Sequence, residues 1–250
     1  MRRAIVVLAT LSGITPLASG QETADPARQL IRRALQAHGG ADQLEQIRAE
    51  QLSFRGTIYL GEQGIPFTAE TIYHLPNRFR NVLHYELRQQ TGTLIQVLNG
   101  NQGWLSSPGE TRPFDDLMLA EVRERLYAYH VARLLPLLRD PSYQLTLLDA
   151  TTIHERPAHG VRVRSAGHRD LQLYFDAATG LLVKTIRVTL DVQSRRELLQ
   201  EEYYSDFREV NGVPRPSRLV VFQNGRLFLD GQIVAIRHLE QVDAQLFVKP

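Results

Sequence analysis

Apolar and polar positions alternate with a period of two along most of this chain, and one long stretch breaks the alternation. Between 52 and 60, Leu52, Phe54, Ile58 and Leu60 alternate with Ser53, Arg55, Thr57 and Tyr59, the mark of a strand buried on one face. The stretch 67–75 puts Phe67, Ala69, Thr71, Tyr73 and Leu75 in phase, and 79–87 does the same for Phe79, Leu83, Tyr85 and Leu87. A further strand at 93–98 ends in Asn99-Gly100-Asn101-Gln102-Gly103, a strong turn signal leading to Trp104. Beyond the break the pattern predicts strands at 143–153, 160–165, 171–176, 181–190, 198–207, 218–223 and 227–238. Turn-forming residues join them: Arg156-Pro157, Asp176 to Gly180, Asn211-Gly212-Val213-Pro214 and Asn224-Gly225. These joints leave no room for helical crossovers, so the pairing is antiparallel.

The break is 114–138. It opens with Asp115-Asp116, suited to the positive end of a helix dipole, and runs through an amphipathic half with Glu121, Arg123, Glu124 and Arg125. Its second half, from Leu126, is interrupted only by His130 and Arg133, so apolar side chains face nearly every direction and need cover on more than one side. Its charges argue against a membrane span, and Pro136 kinks or ends it. Two small helices lead in: Asp25-Pro26 caps one with Leu30, Ile31, Ala34 and Leu35 on a face, His38-Gly39-Gly40 stops it, and Ala41 to Ile47 offers the second. The expected fold is mainly β (α+β). It is a strongly curved antiparallel sheet or unclosed β-barrel of about ten or eleven strands, with the central helix and the N-terminal helices covering its concave face.

Side chains in phase should share that concave face. They are Phe54 and Ile58, Phe67 and Tyr73, Phe79, Leu83 and Tyr85, and in a later hairpin Leu173 and Phe175; Leu119, Val122, Leu126 and Tyr129 follow helical spacing and should form the inner side of the helix. The opposite phase, with Arg55, Thr57, Glu70, His74, Arg80, Glu86 and Gln172, suits solvent. Either these apolar side chains line a ligand cavity or they fill a core.

The chain starts Met1-Arg2-Arg3, continues apolar to Ala18 and reaches the small residues Ala18-Ser19-Gly20, a pattern that predicts a signal peptide at 1–20 and a single domain at 21–250. There is no cysteine, hence neither a disulfide nor the lipid-bearing cysteine of a bacterial lipoprotein, and a soluble exported protein is expected. The 29 basic and 27 acidic residues give +2; loss of 1–20 takes Arg2 and Arg3 and no acid, leaving zero. Nucleic-acid binding is not favoured by that balance.

Fragments that resemble catalytic motifs fail on context. His154 and His159 are spaced one residue too far for the zinc helix motif, and Pro157 lies between them. His168-Arg169-Asp170-Leu171 imitates a kinase catalytic loop, yet the position of its asparagine is Phe175 and the first lysine is Lys184. Glu201 and Glu202 are adjacent on a strand, point to opposite faces and suit solvated or edge-protecting roles. No enzyme, metal site or cofactor is expected.

Three stretches carry a family resemblance: the hairpin from Leu173 to Lys184 around Asp176-Ala177-Ala178-Thr179-Gly180, the run Tyr203-Tyr204-Ser205-Asp206-Phe207 through Asn211-Gly212-Val213-Pro214-Arg215-Pro216, and the closing Leu246-Phe247-Val248-Lys249-Pro250. They resemble the LolA/LolB-like periplasmic lipoprotein carriers and their outer-membrane lipoprotein-sorting relatives. In that family an unclosed antiparallel barrel holds acyl chains on its concave side under a lid of helices. The resemblance implies a periplasmic carrier whose partners are a lipid or lipoprotein acyl chain and a membrane-associated donor or acceptor protein. The alternative of a different class is an envelope-stress sensor or protein-interaction module of the same fold with a filled core.

Overall fold

The computed structural model describes residues 25–250; the signal-peptide expectation for 1–20 lies outside the described residues. Two helices, α1 (Pro26–Ala37) and α2 (Gly40–Gln46), precede six strands: β1 (Ala49–Leu60), β2 (Gln63–His74), β3 (Arg78–Leu87), β4 (Gln90–Asn99), β5 (Gln102–Ser107) and β6 (Glu110–Pro113). The helices α3 (Asp116–Ala132) and α4 (Leu135–Arg139) follow, and then β7 (Gln144–Ile153), β8 (Arg156–Arg164), β9 (Leu171–Asp176), β10 (Leu182–Leu190) and β11 (Glu197–Ser205). A small hairpin, β12 (Arg208–Val210) and β13 (Val213–Arg215), precedes β14 (Arg218–Gln223), β15 (Arg226–Leu239) and a 3₁₀ turn at Ala244–Phe247.

All but β12 and β13 form one thirteen-stranded sheet in the order β6-β5-β4-β3-β2-β1-β15-β14-β11-β10-β9-β8-β7. Every pairing within it is antiparallel. The first strand meets the last at the centre, while the free edges β6 and β7 are joined through α3 and α4. That connectivity explains why the long helix lies where it does: it spans the gap that the sheet leaves open.

The strand count exceeds the expected ten or eleven for two reasons. The short β5 and β6 have too few apolar positions to show a period. The turn Asn211-Gly212-Val213-Pro214 holds the second extra pair, β12 and β13, each three residues long and too short for a period. β8 is also longer than expected: it starts at Arg156, because the chain reverses at His154 and Glu155, both at positive φ (47° and 63°), and not at Arg156-Pro157. The central pair β1–β15 carries a bulge between Ser53 and Phe54. Here Gly56 faces Gly231, and a Cβ on Gly56 would lie 2.2 Å from the Asp230 carbonyl oxygen, so only glycine allows the strands this close.

The expected helix 114–138 is two helices. Leu134 sits at φ 66° between α3 and α4. Pro136 explains the break: it has no N–H to continue α3, and it suits the first turn of a new helix, where α4 places it. A left-handed leucine costs about 1–2 kcal/mol, which the burial of Leu134 at 1% exposure offsets. The start of α3 follows expectation, with the Asp115 carboxylate accepting from the Met118 N–H at 2.8 Å.

Three apolar clusters fill the interior. The largest packs α1, α2, α4 and Tyr127 and Val131 of α3 on β8–β10, with Leu173 and Phe175 fully buried in it. A second joins Val122 and Leu126 of α3 to Phe79 and Leu98. The third lies on the other face of β2–β4, where Phe247 covers Ile72 and Val97. This last cluster corrects part of the solvent assignment. Arg80 donates to the Leu246 carbonyl at 3.2 Å, and the His74 ring lies 5.9 Å from that of Phe247.

Candidate ligand-binding hollow

Between α3 and the concave face of the sheet lies a cavity of about 370 Å³, within the range of small-molecule sites. Its apolar wall comes from β1–β3 through Leu52, Phe54, Ile58, Phe67, Ala69 and Leu83, and is continued by Leu219, Val221, Leu229, Ile233 and Ile236 on β14 and β15. The helix contributes one stripe, Arg125, Ala128, Tyr129, Ala132 and Arg133, spaced three and four apart. Two alanines in that stripe leave the space that larger side chains would fill.

Of the residues expected to face this space, Phe54, Ile58, Phe67, Tyr73, Leu83 and Tyr129 line it. The others lie elsewhere. Phe79, Val122 and Leu126 form their own cluster with Leu119 packed on it, Leu173 and Phe175 sit under the helices of the main core, and Tyr85 covers Gly92. Phe79, Leu173 and Phe175 pack against the helices, and Tyr85 is in none of the three clusters. The helix face differs from the expected one because α3 is apolar nearly all round. Its hollow-facing stripe includes two arginines, which a sequence reading assigns to water.

Sequence reasoning missed the polar side of the hollow. Glu50 at the start of β1 is 1% exposed, accepts from the Tyr129 hydroxyl and from Arg215 Nη2 at 2.7 Å, and has the His238 ring at 3.2 Å. Burial pushes its carboxyl up, but Arg215, His238 and Arg133 more than reverse that, and its pKa ends below the ordinary carboxylate value. The Tyr129 ring stacks on Tyr73 at 3.8 Å between centroids. Tyr73's hydroxyl, pushed up to about 12 chiefly by burial, stays protonated at neutral pH.

Across from these, Glu202 accepts from the Tyr204 hydroxyl at 2.7 Å and lies 3.6 Å from Arg187. Glu201, on the opposite face, meets Lys184 at 2.5 Å. The two adjacent carboxylates do part to opposite faces, but both are paired and β11 is an interior strand, so neither guards an edge. At one end of the hollow His38 contacts the Ala34 carbonyl through Nδ1 at 2.8 Å, and its Nε2 accepts from the Leu182 N–H at 3.3 Å. That pair of partners requires a neutral ring with the proton on Nδ1. Among the described residues no cluster of three or more metal-ligating side chains occurs, and no helix is long and apolar enough to cross a membrane.

His168 and Asp170 lie in the β8–β9 loop, and the loop reaches α3. His168 stacks on Tyr127 at 3.6 Å and contacts Glu124 at 2.8 Å, while Arg169 pairs with Glu121. These contacts pin the helix over the sheet.

No family model matches the chain, and no curated protein matches its sequence. Solved structures match its fold. A DUF1329 family protein from Desulfovibrio piger superposes with a TM-score of 0.57 at 10% identity, over 90% of this chain and 98% of that one. A putative outer membrane lipoprotein-sorting protein domain from Vibrio parahaemolyticus gives 0.53 at 8% identity, over 88% and 95%. A LolA superfamily protein from Nitrosomonas europaea gives 0.53 at 12% identity, over 89% and 97%. An unclosed antiparallel sheet with a helix across its concave face is common to the architecture described here and to the family resemblance of the turns and strands: the chain has the LolA-like fold.

Proposed function

We propose that this protein is a non-catalytic binding or carrier protein of the periplasm that shelters a hydrophobic chain, a lipid or a lipoprotein acyl group, in the hollow under α3. The observation that carries this reading is the cavity of about 370 Å³ with a mostly apolar wall. Each methylene moved from water into such a wall contributes about 0.8 kcal/mol, so affinity needs no polar motif. The likeness in fold to a lipoprotein-sorting domain and the signal-like start at Met1-Arg2-Arg3 agree with it. In this reading Phe54, Ile58, Phe67, Tyr73, Leu83 and Tyr129 contact the chain, and a membrane-associated protein gives or receives it. A sensor or interaction module with a filled core needs a hollow without space, and the cavity weighs against it.

The test is to purify the protein from the envelope of expressing cells without detergent, extract it with organic solvent and analyse the extract by mass spectrometry. Stoichiometric lipid, or uptake of a fluorescent fatty acid by the extracted protein, is the expected result. Protein that arrives empty and takes up no fatty acid would overturn the reading.

A further inference from the structure

The wall of the hollow beside α3 is more cationic than an acyl chain requires. Arg125, Arg133, Arg187 and Arg215 reach it, against the carboxylates of Glu202 and, just behind the lining, Glu50. Arg215 is engaged with Glu50 at 2.7 Å and Arg187 with Glu202 at 3.6 Å, and Arg133 donates to the Leu44 carbonyl at 2.6 Å. Arg125 has no carboxylate partner among the described residues. Its one hydrogen bond goes to Gln96 Oε1 at 3.3 Å, and its guanidinium lies 5.6 Å from the centre of the Phe79 ring. The side chain is exposed, and what it faces is the hollow that it lines.

A guanidinium carries five N–H donors, and in Arg125 one of them is taken, by Gln96. Tyr73 adds a hydroxyl on the same wall with no partner among the described residues. Together they present donors and a positive charge to whatever enters. The missing component is an anion.

Size limits the rest of the ligand. A dry cavity of 150 Å³ accepts benzene, so by proportion about 370 Å³ holds roughly fifteen carbons, one acyl chain and not two. From Glu50, behind the polar wall, to Ile58, β1 runs about 26 Å at roughly 3.3 Å per residue. One chain spans about 15 Å, half the hydrocarbon core of a bilayer, which leaves room for a head group.

We infer that the hollow takes a single-chain amphiphile with an anionic head, a carboxylate or a phosphate monoester, the head meeting Arg125 and Tyr73 and the chain running toward Ile58 and Phe67. This rests on the hydrophobic-ligand reading above and adds the charge and the number of chains. A neutral head would leave Arg125 unpaired, and a cationic head would be repelled.

The experiment displaces a bound fluorescent probe from the full chain with a sixteen-carbon series, each member below its micelle concentration: palmitate, hexadecyl phosphate, hexadecanol and hexadecyltrimethylammonium. At least one anion should bind about tenfold more tightly than hexadecanol, the cation should bind most weakly, and the tighter anion identifies the head. Arg125→Met should shrink the gap between anion and alcohol to about threefold or less with hexadecanol affinity kept, while Arg125→Lys should retain part of the gap. Hexadecanol binding as well as both anions, or an undiminished gap in Arg125→Met, overturns the inference and leaves the hydrophobic-ligand reading standing. If Arg125→Met fails to fold, the unmodified protein's ranking and Arg125→Lys decide. Failure of the whole series to bind the unmodified protein overturns both.

Discussion

Glu50 is where three distant parts of the chain meet, and what holds it is charge in place of packing. Arg215 and Tyr129 reach it from 165 and 79 residues away, so nothing in its local sequence marks it as buried. Replacing it with Ala leaves Arg215 without its carboxylate, and breaking a buried pair in this way should cost about 3–5 kcal/mol of unfolding free energy in a denaturant titration. His38 makes a pH-dependent contribution. Burial is the main cause of its lowered pKa, followed by the bond to Ala34, which opposes it, and by the Arg215 charge. Because the folded state binds the proton less readily than the unfolded value of 6.5, its contribution is fully present above that pH and is lost as pH falls through the folded pKa. His74 and His130, also lowered mainly by burial, act in the same direction. The melting temperature should therefore fall as the pH drops below about 6.5, and His38→Gln should make that slope shallower; an unchanged slope would remove His38 from the account. Asp176 shows the opposite degree of legibility. Its side chain accepts from the N–H groups of Ala178 and Thr179, two and three residues on, and the turn it builds could be read directly from Asp176 to Gly180.

At the scale of elements, strands and turns were legible because one face of each strand is buried and the turn chemistry is local. The helix α3 was legible as a helix and not in its orientation. Apolar residues surround it because the sheet covers it on two sides, Val122 and Leu126 against β3 and β4, Tyr127 and Val131 against the β8–β9 core. The stripe left for the hollow carries Arg125 and Arg133, so amphipathicity points the wrong way. Two substitutions test this placement. Leu126→Glu puts an unpaired charge at a site with 2% exposure, and should abolish a cooperative melt where a hollow-facing position would not. Leu134→Gly relieves a left-handed φ worth about 1–2 kcal/mol but removes a side chain whose loss costs about 2–5 kcal/mol. A net destabilisation is expected in chemical unfolding, and a stabilised variant would show that strain governs the break between α3 and α4.

At the scale of the whole molecule, the sheet stays open because its edge strands β6 and β7 are linked by a helix and not paired to each other. Both bulges fall on β15, at Phe228 opposite Val221 and Phe222 and at Val234 opposite Ser53 and Phe54, so the side chains that β15 gives to the wall do not follow one period-two phase. What distinguishes a hollow from a core here is unfilled volume, a property that no residue pattern encodes. The central claim is that this volume belongs to a ligand, and Leu83, half-buried on its wall, is the place to test it. Binding of a fluorescent fatty acid should be measured for the unmodified protein and for Leu83→Trp, with a melt of each. The account predicts saturable binding by the first and a loss of about tenfold or more in affinity for the second, with melting temperatures within about 4 °C of each other. Equal affinity in the two folded proteins, or no binding by the unmodified one, would contradict it.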